Sequence, residues 1–306
     1  MYDIGLVGLD SVHADTFARV LWKYLDARVT AVWDGGDVRD EEHKQAFCDR
    51  YEATPYQQPE AMIDDIDAAI VCTLDWDTHV DLAAPFLEAG IPTLVDKPIA
   101  ANLADIESLE ESREAGDAVF FGGSAIPYQT EMDVLTEGLP ERTIHCASYR
   151  GSIRYGPHAI DPIRKLVGAD WTTVSTTPAP GKSIAIQFEN GSYATVRFDG
   201  PMADAGFGYL DIADRMDAIT VRSFSPALPN ADEADRERIY RAYLGRFLQN
   251  IEGDYSDSEW LFDAAKLLVA AQAALAHDTE LDRSDERIRA FDESGAELLK
   301  TYVPPY

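Results

Sequence analysis

Five consecutive residues, Leu94-Val95-Asp96-Lys97-Pro98, concentrate the chemistry of this sequence. They end a run from Ile70 to Pro98 that reads as strand, polar turn, helix, short strand and abrupt polar stop. Strand ends in open α/β sheets point into the crevice where ligands bind. A lysine there can donate a proton or hold an alkoxide, and the proline fixes the backbone beside it. The competing reading is a surface lysine paired with Asp96, which contributes little when exposed. Lysine is scarce, with seven in 306 residues, and arginine would serve a structural ion pair well. A titratable ammonium is what arginine cannot supply. Lys97 is therefore a candidate catalytic and substrate-contacting residue, and the chain a candidate enzyme.

A second group of reactive types lies in Arg154-Tyr155-Gly156-Pro157-His158-Ala159-Ile160-Asp161. Ala159, Ile160, Ile163 and Leu166 fall at helical spacing, which puts His158 and Asp161 near the helix start and on one face. A histidine with a nearby carboxylate works as a general acid or base near neutral pH. The alternative is a capping histidine with an aspartate stabilised by the helix dipole. The spacing of His13, His79 and His158 matches no zinc or iron signature, so no metal is expected.

A nucleotide site is the third candidate. Ile4-Gly5-Leu6-Val7-Gly8 is a short apolar run ending at a turn, and a helix follows from Ser11. Such a first strand–turn–helix can cradle a dinucleotide pyrophosphate on backbone N–H groups at the helix start. Gly8, Ser11, Val12 and His13 would line it. Of the usual glycine spacing at 8, 10 and 13 only Gly8 is present, with Asp10 and His13 at the others. Asp10 is electrostatically wrong beside a diphosphate unless it points away or caps nearby amides. The turn binding nothing is thus an open alternative. Asp34 ends the second strand, where a carboxylate accepts ribose hydroxyls and repels a 2′-phosphate, so NAD is preferred over NADP. Asp34 as a plain surface acid is the other reading. Thr73, Leu74, Asp75 and His79 belong to the loop after the strand that ends at Thr73, on the side a nicotinamide would occupy with Asp96 and Lys97. His79 can equally be a structural hydrogen-bonder, and Trp76 can stack on a ring or cover apolar surface.

The elements that must hold these residues alternate. Phe17, Val20, Leu21, Tyr24 and Leu25 give one helix an apolar face. Val29–Trp33 reads as a strand, residues 40–51 as a polar helix and Ala68–Thr73 as a buried strand. Thr78 with Asp81 predicts a capping box and Gly90 a stop for the next helix. Ile91–Val95 is a strand, 104–115 a helix and Ala118–Phe121 a strand. This alternation predicts a parallel doubly wound sheet over residues 1–122. From 123 to 306 the rhythm changes. Arg142–Tyr149, Trp171–Ser175, Ser183–Phe188, Ser192–Phe198 and 217–224 read as strands, with an Asn190-Gly191 hairpin turn. Helices return at 233–251 and 258–276. An α+β domain with a mostly antiparallel open sheet is expected.

Composition narrows the partners. The 55 Asp and Glu against 26 Lys and Arg give a formal net charge of −29. Such a surface disfavours nucleic acid and anionic membranes. The acidic residues interleave with apolar periodicity, which argues against disorder. The excess reads as a carboxylate shell suited to molar salt, where screening removes self-repulsion, as in a halophilic archaeal cytosol. Cys48, Cys72 and Cys146 are expected as free buried thiols in a reducing compartment. No signal peptide and no apolar stretch of about 18 residues are evident, so a cytoplasmic protein is expected.

On these residues the chain resembles the glucose–fructose oxidoreductase, inositol dehydrogenase and MocA family. The likeness rests on Asp3–Gly8, Ala69–His79, Ala89–Pro98, Gly156–Asp161 and Phe188-Glu189-Asn190-Gly191. It implies a Rossmann-like domain plus an α/β domain whose open sheet forms oligomer contacts, hence a dimer or tetramer. It also implies an NAD(P)-dependent dehydrogenase acting on a sugar, polyol or hydroxy acid. The family's Glu-Lys-Pro maps onto Asp96-Lys97-Pro98, so Lys97 would contact the nicotinamide ribose and the substrate hydroxyl, beside a cis peptide at Pro98. In the family's Asp-x-x-x-His pattern the histidine is His158, but Arg154 stands where the acid should be. Arg154 either cripples a His-based relay or binds a carboxylated substrate. A non-catalytic binding protein of the same fold is the rival from another class, and a structural assembly protein a third possibility.

Overall fold

The computed structural model describes residues 1–132, 141–149, 153–178, 181–200, 207–213, 218–223, 233–300 and 302. The first half alternates strand and helix: β1 (Tyr2–Val7), α1 (Val12–Tyr24), β2 (Ala27–Trp33), α2 (Glu41–Tyr51), β3 (Thr54–Pro55) and β4 (Ala68–Val71). Next come α3 (His79–Glu88), β5 (Thr93–Val95), α4 (Leu103–Gly116) and β6 (Phe120–Gly122). All six strands are parallel, in the order β3-β2-β1-β4-β5-β6. Every residue of β4 and β5 is buried, because helices cover both faces of such a sheet and its strands read as unbroken apolar runs. The order reverses direction at β1, so the carboxyl ends of β1 and β4 flank the one crevice this topology opens.

The second half contains β7 (Arg142–Tyr149), α5 (Pro157–Val167), β8 (Trp171–Thr176), β9 (Ser183–Phe188), β10 (Tyr193–Gly200), β11 (Phe207–Ala213) and β12 (Ala218–Ser223). It ends with α6 (Glu233–Ile251), α7 (Ser258–His277), β13 (Leu281–Asp282), α8 (Glu286–Arg289) and α9 (Ala296–Leu299). Its sheet runs β12-β11-β7-β10-β9-β8-β13. Only β10 and β7 pair in parallel; the other neighbours are antiparallel. Gly191, at a φ of 85°, makes the β9–β10 turn that Asn190-Gly191 predicts.

Helices α6 and α7 belong to the second half in sequence and pack on the first. Phe17 of α1 meets Tyr240 of α6 with ring centroids 5.1 Å apart. Phe120 of β6 stacks on Phe262 of α7 at 4.2 Å. The Ser258 hydroxyl donates to Phe120 O at 2.7 Å and accepts from Phe120 N at 3.3 Å. One side chain thereby satisfies the outer backbone groups of an edge strand that would otherwise invite another chain. The three cysteines are free and buried, as expected, and no described helix is long and apolar enough to cross a membrane.

Two local expectations fail. Thr78 makes no capping bond to α3. A 3-10 turn over Trp76–Thr78 precedes the helix, and Asp75 caps that turn by accepting from Asp77 N at 3.1 Å. The Thr78 hydroxyl instead donates to Asp75 O at 2.7 Å. Strand β11, which the sequence does not announce, pairs between β7 and β12.

Candidate active site

Three loops leave the carboxyl ends of β1, β4 and β5 and meet over the crevice. Residues Ser11–His13, Thr73, Leu74, Trp76 and Asp96–Pro98 line a small cavity of ≈ 70 Å³. Arg154 adds the second half's contribution, and Leu298 and Tyr302 of the carboxyl-terminal tail form the remaining wall. The tail is tied down beside them. Trp76 Nε1 donates to Glu293 O at 2.7 Å, and Gly295 N donates to Asp77 Oδ1 at 2.9 Å.

In the first turn Gly8 has a φ of 92°, and a Cβ there would lie 2.7 Å from Thr73 Cγ2 and 2.9 Å from Thr73 N. Only glycine fits so close a backbone crossing. The two non-glycine positions are accommodated because their side chains leave the turn. Asp10 is buried and accepts from Leu74 N at 2.8 Å, tying the β1 loop to the β4 loop. Burial pushes its carboxyl up to about 6, against the pull of that N–H. Ser11 caps α1 by accepting from His13 N at 3.1 Å. Asp34 accepts from Leu9 N at 2.7 Å and Gly36 N at 3.2 Å, and burial raises its pKa. A carboxylate has about four lone-pair sites, so these bonds leave acceptor capacity for a ribose hydroxyl.

His13 turns into a network that spans both halves. Its Nδ1 lies 2.6 Å from Asp96 Oδ2, and its Nε2 lies 2.9 Å from the Tyr240 hydroxyl. The ring stacks on Phe17 at 5.4 Å. Burial acts to raise the Asp96 carboxyl, but His13 and then Lys97 overcome it and hold it well below the usual carboxylate range. Lys97 is half-buried, and its Nζ lies 5.8 Å from the Tyr155 ring centroid. Desolvation lowers its pKa; Asp96 opposes this and Arg154 adds to it. Arg154 stands over Tyr155 and Tyr302, at 5.3 and 5.6 Å from their ring centroids, a contact worth about 0.5–2 kcal/mol depending on exposure. The Lys97–Pro98 peptide is cis.

His158 and Asp161 lie deeper, and both are bonded to Ser124. The Ser124 hydroxyl is 2.8 Å from His158 Nδ1, and Ser124 N donates to Asp161 Oδ2 at 2.7 Å. Burial, with Lys97 and His13 adding to it, pushes the His158 pKa down to about 3. The ring is therefore neutral near pH 7. Burial pushes the Asp161 carboxyl up to about 7, the Ser124 N–H opposing only in part.

The structure thus gathers Gly8, Ser11, Val12, His13, Thr73, Leu74, Asp96, Lys97 and Arg154 around the crevice, with Asp34 at the end of β2. Four expected residues are placed differently. His79 is 1% exposed, and its two nitrogens face Ile99 O at 3.1 Å and Thr73 O at 3.2 Å. Both nitrogens face main-chain carbonyls, so the ring braces loops rather than facing a ligand. Asp75 caps the 3-10 turn and faces the tail, where a Cβ on Gly295 would meet its Oδ1 at 2.5 Å. His158 and Asp161 are both bonded to Ser124, and neither lines the cavity. Sequence reasoning missed Tyr240, Leu298 and Tyr302. No local signal marks them, since they reach the site only through tertiary packing.

Residues 2–123 match the GFO_IDH_MocA family, described as an oxidoreductase family with an NAD-binding Rossmann fold. Myo-inositol 2-dehydrogenase of Thermotoga maritima is 26% identical over 143 residues, 46% of this chain and 40% of that protein. Inositol 2-dehydrogenase 2 of Saccharopolyspora erythraea is 27% identical over 239 residues, 68% of each protein. The structure of scyllo-inositol dehydrogenase from Lactobacillus casei, with NAD(H) and scyllo-inositol bound, shares the fold at a TM-score of 0.70. That likeness covers 93% of this chain and 100% of the other at 15% identity. The likeness to the GFO_IDH_MocA oxidoreductase family, with its NAD-binding Rossmann fold, is thus carried by residues 2–123.

Proposed function

We propose that the protein is an NAD-dependent oxidoreductase acting on a secondary alcohol or carbonyl of a polyol, sugar or hydroxy acid. The observation that carries this reading is Lys97. It stands at the carboxyl end of β5, half-buried, with a lowered pKa, in the crevice where an open α/β sheet of this kind binds a dinucleotide. The first turn fits that cofactor in kind: Gly8 allows close approach, the start of α1 points at it, and Asp34 stands at the ribose position. Asp34 also favours NAD over NADP, because a carboxylate repels a 2′-phosphate. When bound, the nicotinamide supplies the hydride acceptor or donor.

The protein's own part is orientation and one proton. Lys97 polarises the substrate oxygen, and its lowered pKa brings the ammonium nearer to exchanging a proton at working pH. His158 is neutral and held by Ser124, suited to accept or donate a hydrogen bond rather than to carry charge. Asp96, kept ionised by His13, fixes the electrostatics beside Lys97, and Arg154 offers a paired donor to a substrate carboxylate. Asp161 acts through Ser124 as a positioning residue. A dimer or tetramer in the cytoplasm, with a surface adapted to molar salt, completes the reading.

A non-catalytic ligand-binding role is the second reading, favoured by the ≈ 70 Å³ of the crevice cavity, where ligand pockets usually offer about 300–1,000 Å³. Seating a nicotinamide requires the wall of Leu298 and Tyr302 to yield. Thermal-shift titration with NAD, NADH, NADP and NADPH in molar KCl separates the two, because a ligand of the native state raises its stability. A shift with NAD or NADH larger than with the phosphorylated forms is expected. No shift with any of the four overturns the oxidoreductase reading.

A further inference from the structure

The crevice inverts the charge balance of the chain. Carboxylates outnumber Lys and Arg by 55 to 26 overall. Among the described residues lining the cavity, two cations, Lys97 and Arg154, stand against one carboxylate, Asp96. That carboxylate is already engaged, with His13 Nδ1 2.6 Å from its Oδ2. The Lys97 ammonium and the Arg154 guanidinium make no hydrogen bond or close ion pair among the described residues. Both stand instead at the Tyr155 ring, 5.8 and 5.3 Å from its centroid, and Arg154 also at the Tyr302 ring, at 5.6 Å. Each is half-buried. Other arginines of this chain that are taken from water find a carboxylate: Arg164 pairs with Asp263, and Arg246 with Asp257 at 2.7 Å. Burial lowers the Lys97 pKa, Asp96 opposes this, and Arg154 lowers it further, so the two cations repel each other. A cation withdrawn from water without a counter-charge is costly, and an anion from outside would remove that cost.

We propose that the crevice selects a hydroxy acid or sugar acid over a neutral polyol, with Arg154 binding the substrate carboxylate while Lys97 holds the hydroxyl to be oxidised. This rests on the oxidoreductase reading and narrows it to one substrate class. Stacking leaves the guanidinium usable: its N–H donors lie in its plane, so rings over its faces do not block the edge that matches a carboxylate with two parallel bonds. Both cations stand at one ring, which puts the two groups they bind within one small molecule. In oxidation the carbinol C–H leaves as hydride to NAD, the hydroxyl proton passes to the deprotonated Lys97 amine, and the resulting keto acid keeps its carboxylate on Arg154. A polyol would leave the guanidinium without a partner in a closed site, and an unpaired group of that kind discriminates against the ligand that fails to meet it. The diphosphate of a dinucleotide is a second source of anion. Its expected place is the start of α1, whereas Arg154 comes from the second half of the chain.

Titration calorimetry of the full-length protein tests this with two matched pairs, gluconate against sorbitol and glycerate against glycerol. It is run with and without NADH, which cannot react with an alcohol, so binding is read apart from turnover. Wild type, Arg154→Gln and Arg154→Lys are compared, each checked for an unchanged thermal transition, and NADH affinity is measured for all three. Each acid should bind wild type at least about tenfold more tightly than its neutral partner, as expected of a hydrogen bond to a charged group. Arg154→Gln should bring that ratio to about one while sparing NADH, and Arg154→Lys should restore part of it, because an ammonium keeps the charge and not the fork. Equal binding of acid and neutral partner by wild type, no binding of either, or a preference that survives in Arg154→Gln overturns the proposal. Loss of NADH affinity in Arg154→Gln with the acid preference intact also overturns it, and assigns the guanidinium to the cofactor diphosphate. The two readings fail separately. Acids preferred by a protein that binds no NADH would sink the oxidoreductase reading and keep the anion site, whereas NADH bound with no preference for acids would sink this proposal alone.

Discussion

Replacing Asp161 by asparagine should stabilise the protein at pH 8 and not at pH 4. The carboxyl is 4% exposed, accepts one hydrogen bond, from Ser124 N, and is held at about 7 against an ordinary 3.8. The native state therefore keeps a proton that the unfolded chain releases between about pH 4 and 7. Where the unfolded state binds fewer protons, stability falls as pH rises. The gap between 3.8 and about 7 amounts to roughly 4 kcal/mol at 1.36 kcal/mol per pH unit. That is an upper figure for the cost of ionising Asp161 in place. Asparagine keeps an acceptor for Ser124 N and removes the charge, but its NH₂ needs a partner, at about 1–3 kcal/mol. The variant should gain about 1–3 kcal/mol at pH 8 and gain nothing, or lose about 1 kcal/mol, at pH 4. Urea denaturation of both proteins at several pH values and constant KCl reads this directly, since all other titrations cancel in the difference. A gap between the two proteins that does not change with pH would refute the reasoning. It would mean that a cation keeps Asp161 ionised in the folded state.

Asp10 should act on cofactor affinity in the same pH range. Its carboxyl, at about 6, is charged at pH 8 beside the turn proposed for the diphosphate, so Asp10→Asn should tighten NAD binding at pH 8 and lose that advantage at pH 5; fluorescence titration of NADH decides it, and equal affinity ratios at both pH values count against the site. Salt should stabilise the whole chain, because a net charge of −29 is self-repulsive and the screening length falls from about 10 Å at 0.1 M to about 3 Å at 1 M. A melting temperature that does not rise across that KCl range contradicts the proposed adaptation to molar salt.

Most of the fold is written in short-range pattern. The helical recurrence of Phe17, Val20 and Leu21, the buried runs at β4 and β5, and the Asn190-Gly191 turn each follow from residues within one element. Gly8 is legible for the same reason: a strand must stop and turn there. Strand β11, Phe207–Ala213, escapes because its apolar residues do not alternate with polar ones. Thr78 and Asp81 form a capping-box pair in sequence, but a preceding 3-10 turn takes the helix start and sends the threonine hydroxyl to Asp75 O. The site shows the same division. Lys97 and Asp96 are evident from their place at a strand end. That His13 would reach Asp96 and also Tyr240, 227 residues further along, is not, because both bonds depend on how α6 packs against α1. The role of Asp161 depends in turn on Ser124, which lies 37 residues before it.

The most direct test of the central claim is the rate of NADH formation by wild type and Lys97→Met, from inositols, sugars and hydroxy acids in molar KCl. NAD affinity is measured alongside by thermal shift. The Lys97 ammonium, set between Asp96 and Arg154, should account for about 10²–10⁴ of the rate. The variant should lose that much turnover on any compound that wild type oxidises, while NAD affinity and the melting temperature change little. Near-wild-type turnover by Lys97→Met, or a wild type that neither binds NAD nor oxidises any of these compounds, would contradict the account.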